Sequence, residues 1–110
     1  MTQALGRELR AVRRDRAAWT QSRPPAAELE AIGRFLACGR EAGRTARLHV
    51  VHVSTADGLA KIAAARANGT TITAETCPHY LWFSVADFER IEPTLKCAPP
   101  VRDPTNRKQL

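Results

Sequence analysis

Leu48-His49-Val50-Val51-His52-Val53-Ser54-Thr55-Ala56-Asp57-Gly58 is a β-branched run that carries two histidines and ends in a helix-opening cluster. Val50, Val51 and Val53 favour a buried strand over residues 47–53. Ser54 or Thr55 is placed to cap a helix over 56–67, with Leu59, Ile62 and Ala63 expected on its inner face. A metal-capable side chain at the carboxyl end of a buried strand is where parallel α/β proteins place their chemistry. His52 is therefore the first candidate. Strict alternation would put His52, Val50 and Leu48 on one face, with His49, Val51 and Val53 on the other. If the strand belongs to an eight-stranded barrel, His52 reaches its mouth and His49 points to the opposite layer. The plainer alternative is a hydrogen-bonded histidine in a core.

Downstream, Asn68-Gly69 stops the helix and Thr70–Ala74 reads as a second strand. Strand, helix, strand with a crossover of this length implies two parallel neighbours. Glu75-Thr76-Cys77-Pro78-His79-Tyr80 follows as a turn, and Ser84–Asp87 opens a short helix as a capping box with Asp in place of Glu. Pro93 closes that helix, and Leu95–Pro100 reads as extended because each proline disfavours helix in the residue before it. Asp103-Pro104 caps a last helix. Upstream, residues 3–19 form an Arg-rich amphipathic helix with Leu5, Leu9, Val12 and Trp19 on one side. Pro24-Pro25 breaks it, and a helix over 26–42 carries Leu29, Ile32, Phe35 and Leu36, with Phe35 expected in the core. The whole, 1–110, reads as one incomplete domain in three stretches: 1–25, 26–69 and 70–110. Two strands alone leave long unpaired edges, which points to a piece of something larger.

With 110 residues, the chain can bury one modest core. No apolar run spans a bilayer and no secretory segment stands at the N-terminus, which leads us to expect a cytoplasmic protein without membrane contact. Cys38, Cys77 and Cys97 are odd in number and widely spaced, fitting reduced thiols rather than a disulfide framework or zinc knuckle. Cys77 and Cys97 have no activating neighbour in the sequence and read as packing residues. The net charge is +6, and residues 1–25 hold six arginines against Glu8 and Asp15. A basic nucleic-acid-binding module is one alternative reading. Few aromatic residues and no recognition motif accompany the charge, so a solvated helix face and no nucleic-acid partner is the expectation.

Three further stretches join the first to form a recognisable set: Ser22-Arg23-Pro24-Pro25-Ala26-Ala27-Glu28-Leu29-Glu30-Ala31, Glu75–Leu81 and Lys96-Cys97-Ala98-Pro99-Pro100-Val101-Arg102. Together they resemble the cyclic amidohydrolases, allantoinases most closely, with dihydroorotases and hydantoinases/dihydropyrimidinases as relatives. The resemblance implies a partial (β/α)8 TIM barrel, roughly strands six and seven with their helices. It implies a hydrolase opening a small cyclic amide, allantoin to allantoate in purine catabolism, or else hydantoin, dihydropyrimidine or dihydroorotate. In the family a hydroxide bridging two divalent metals, zinc by expectation, attacks the ring carbonyl while an aspartate moves the proton. By this resemblance His52 is a metal ligand, the main chain of Cys97 and Ala98 contacts substrate, and His79 is a mouth or structural residue. The family's remaining ligands and its catalytic aspartate have no counterpart here, so the chain alone is expected to be inactive, and the longer parent a homo-oligomer. A non-catalytic piece that completes a barrel with another polypeptide is a further alternative.

Overall fold

The computed structural model describes residues 2–12, 16–43 and 45–110. Helices α1 (Thr2–Val12) and α2 (Arg16–Gln21) occupy the span expected as one helix, with 13–15 lying outside the described residues. Helix α3 (Pro25–Glu41) leads to strand β1 (Leu48–Val50), helix α4 (Ala56–Ala67) and strand β2 (Ile72–Ala74). Then come α5 (Pro78–Trp82), α6 (Val85–Ile91), a 3-10 turn at Glu92–Leu95, and α7 (Pro104–Gln109).

The two strands pair in parallel, Leu48 with Ile72, His49 with Thr73 and Val50 with Ala74, joined through α4 as the pattern predicts. Leu48, Val50 and Ala74 pack with buried Ile72 against Ile32 and Leu36 of α3 and Ile62 of α4, and Val53 closes that core. A second cluster, Tyr80, Phe88, Leu95 and Val101, forms around α5, α6 and the stretch before α7.

Several expectations need correction. The strands are shorter than predicted, three residues each. Phe35 is 40 % exposed rather than core. On α4 the inward residues are Gly58 and Ile62, with Ala65 packed beside them, whereas Leu59 and Ala63 face outward. The cause is close contact: a Cβ on Gly58 would come within 3.0 Å of the Ile32 Cδ1 atom, and only a glycine lets the two helices meet there. The turn after Cys77 is one and a half turns of helix with Pro78 at its start, where a missing N–H costs nothing. Helix α6 does end at Ile91, as expected from Pro93, and the chain continues into the 3-10 turn rather than straight into an extended segment.

The box at α6 is half as expected. The Asp87 carboxylate accepts from the Ser84 N–H at 2.9 Å and from the Ser84 hydroxyl at 3.0 Å, which holds the carboxyl below the usual aspartate range.

Candidate functional site

Sheet alternation places Leu48 and Val50 against the helices, so His49 lies on the open face. There its Nδ1 meets Thr73 Oγ1 at 2.7 Å and its Nε2 lies 3.6 Å from Glu75 Oε2. This overturns the expected facing of His49, toward the layer opposite His52. Continued alternation would have buried His52 under α3 and α4. Instead the ladder ends at Val50, and His52 takes a left-handed backbone with φ +44°. That twist turns the imidazole outward while Val53 drops back into the core.

The residues just after His52 are held hard. Val53 donates its N–H to Glu75 O at 2.8 Å and accepts from Thr76 Oγ1 at 2.7 Å. Of the two cap candidates, Ser54 and Thr55, it is Thr55 that caps α4, accepting from the Gly58 N–H at 3.1 Å. Glu28, on the first turn of α3, receives the N–H groups of Ser54 and Thr55 at 3.0 and 2.9 Å, the Thr55 hydroxyl at 2.7 Å, and the Ser54 hydroxyl. Asn106 of α7 completes the arrangement, accepting from the Ala56 N–H and donating to Ser54 O, both at 2.9 Å.

The Lys96–Arg102 stretch approaches from the other side. Trp19 Nε1 donates to Cys97 O at 3.1 Å and the Tyr80 hydroxyl to Pro99 O at 2.7 Å. Between these two pinned carbonyls, the exposed Ala98 keeps an N–H and a C=O without a hydrogen-bond partner among the described residues. Burial pushes the Tyr80 phenol and the Cys97 thiol above their ordinary values, so both stay protonated as donors and packing groups. The three cysteines are free thiols. His79 stands apart in α5, its ring 4.2 Å from that of Tyr80 and its buried Nε2 without a hydrogen-bond partner among the described residues.

His52 and Ala98 line one groove of about 620 Å³. Ala27, Ala31 and Phe35 of α3 and Val51 of the strand end form its apolar walls. Cys97 does not line it, and its carbonyl is already taken by Trp19, so of the two predicted main-chain positions Ala98 is the open one. Neither Glu28 nor Arg102 was singled out from sequence. The signal was present only as the Glu three residues after Pro-Pro and the Arg closing the Pro-Pro-Val-Arg stretch.

No set of three metal-capable side chains converges among the described residues. One imidazole does not make a catalytic metal site, which takes about three protein ligands. The described residues therefore do not fit a metal centre by themselves. Nor is any described helix long and apolar enough to cross a membrane.

No family model matches the chain. It is 52 % identical over 106 residues to an allantoinase of Rubrobacter xylanophilus, covering 93 % of this chain and 22 % of that protein. It is 45 % identical over 92 residues to an allantoinase of Deinococcus radiodurans, covering 84 % of this chain and 20 % of that one. Among solved structures, an L-hydantoinase (dihydropyrimidinase) from Arthrobacter aurescens superposes with a TM-score of 0.92 at 40 % identity, over 98 % of this chain and 24 % of its own. A dihydropyrimidinase from Brevibacillus agri gives 0.87 at 36 % identity. The chain thus spans about a fifth of the length of the curated relatives it matches.

Proposed function

The chain is homologous to a segment of the cyclic amidohydrolases, and from that premise we propose that it forms part of the substrate groove of an allantoin-opening hydrolase. The observation that carries this is the pairing of His52 with the unpartnered Ala98 peptide in one groove, within a sequence half identical to an allantoinase. A cyclic ureide presents a carbonyl beside an N–H. A free peptide N–H and C=O, pre-aimed by pinned neighbours, matches that edge at little ordering cost. His52 offers one imidazole to a divalent metal, and the other ligands of such a centre are not among the described residues. The hydantoinase neighbours favour a second reading on the same geometry, with hydantoin or dihydropyrimidine as the ring.

The test replaces the matching 106-residue stretch of the Rubrobacter xylanophilus allantoinase with this sequence. The chimera is assayed on allantoin, hydantoin, dihydropyrimidine and dihydroorotate. We expect turnover of allantoin above the other rings. His52→Ala should lose it by at least a hundredfold together with bound metal. Turnover of dihydroorotate but not allantoin would overturn the substrate, and full activity of His52→Ala would overturn the site.

A further inference from the structure

We propose that the Glu28–Arg102 ion pair is a positioning device that locks the His52 segment to the Ala98 segment. The inference rests on the reading above of those two segments as walls of one ligand groove. Arg102 Nη2 lies 3.4 Å from Glu28 Oε2, and the two side chains are only 6 % and 11 % exposed. The guanidinium also donates through Nε to Ser54 Oγ at 3.0 Å and through Nη1 to Arg23 O at 2.6 Å. Burial lowers the affinity of Arg102 for its proton, and the facing Glu28 charge opposes that shift.

A buried ion pair is a poor way to gain stability, because desolvating each charge costs several kcal/mol and apolar residues of equal volume often serve as well. What the pair supplies is direction. The planar guanidinium, with Nη2 on the Glu28 carboxylate, Nε on Ser54 Oγ and Nη1 on the Arg23 carbonyl, fixes orientation as well as distance. Glu28 Oε1 takes the main chain of Ser54 and Thr55, immediately beyond His52 and Val53, while Oε2 takes Arg102. Ser54 Oγ bridges both charges, donating to one and accepting from the other. From Arg102 the chain runs back to Ala98 through Pro99-Pro100, whose φ angles are fixed by their rings. One charge pair therefore sets where both walls of the groove stand. Both residues line the groove, but their polar atoms are engaged with one another, with Ser54 and Thr55 and with the Arg23 carbonyl, which makes them positioning rather than binding residues.

The first test uses the ¹⁵N-labelled 110-residue chain. Glu28→Gln keeps the size and one acceptor but removes the charge facing Arg102. Arg102→Lys keeps the charge but loses the fork. Either variant should shift the amide signals of Ser54, Thr55 and Ala98 together. Ile62→Val, a methyl deletion in the core, should leave Ala98 unmoved. Shifts confined to Ser54 and Thr55 would overturn the coupling.

Where a variant gives no dispersed spectrum, both substitutions go into the allantoinase chimera. There each should lower kcat at least tenfold and raise KM at least threefold, with the double variant no worse than either single one. Additive losses, or a lowered Tm with unchanged kcat and KM, would reduce the pair to a staple. The functional reading fails differently: the intact chimera would open no ring while the amide coupling persisted.

Discussion

At the scale of single residues, His52 shows function and stability pulling against each other. A left-handed backbone at a residue with a Cβ costs about 1–2 kcal/mol, a cost that glycine escapes. The site keeps a histidine there with φ +44°. We therefore expect His52→Gly to be more stable than His52→Ala by about 1 kcal/mol, read as a higher urea midpoint at unchanged slope. Equal midpoints would mean that the turn relaxes once the imidazole is gone. The outward imidazole was legible in the sequence, but for the wrong reason. Alternation is a rule for residues inside a ladder, and His52 lies two residues past its end. Phe35 was illegible in the same way, because helical spacing tells which residues share a side and not whether another element covers it. Glu28 escaped notice since a helix-opening glutamate is ordinarily a solvated, dipole-favoured residue. Its burial depends on main-chain donors that arrive from 26 and 27 residues away.

At the scale of elements, α4 is the best-read part of the chain. Its expected bounds match Ala56–Ala67 because both ends have local causes, the Thr55 cap and the left-handed Gly69 with φ +88°. Its orientation was read less well, since six alanines beside Leu59 and Ile62 define no sharp apolar stripe and the deciding residue is Gly58. Propensity alone favours Gly58→Ala by about 1 kcal/mol in a helix. Against that, the new methyl would sit 2.5 Å from Thr55 Oγ1, 3.0 Å from Ile32 Cδ1 and 3.1 Å from Glu28 Oε1. Thr55 and Glu28 are each held by other hydrogen bonds and cannot yield independently. Overpacking of this kind costs about 1–3 kcal/mol, so the steric effect wins. Gly58→Ala should lower the melting temperature and loosen the Ser54–Thr55 amides in hydrogen exchange. A raised melting temperature would show that α4 can slide away from α3.

At the scale of the whole molecule, the parallel pair with its crossover helix could be anticipated because hydrophobic pattern and turn signals agree along 48–74. The packing of α5, α6 and α7 around it could not, since those short elements are placed by contacts far apart in sequence, such as Trp19 to Cys97. The result is under-buried. A compact monomer of 12.1 kDa exposes about 6,000 Å², whereas this chain exposes 7299 Å². Its radius of gyration is 15.3 Å, against about 13 Å for a compact domain of this length. Apolar side chains make up part of the surplus, with Val51 44 % and Trp82 75 % exposed beside Phe35. The buried part is split between two small clusters that share Leu110 as a common neighbour. The two-stranded sheet also leaves each strand with an unpaired edge. These features together predict a broad, weakly cooperative thermal transition for the purified 110-residue chain, with binding of a hydrophobic dye well below the midpoint. A sharp two-state melt without dye binding would show instead that two small cores and one buried ion pair are enough. The groove would then be a surface the chain maintains unaided, and not one whose apolar walls call for further structure to cover them.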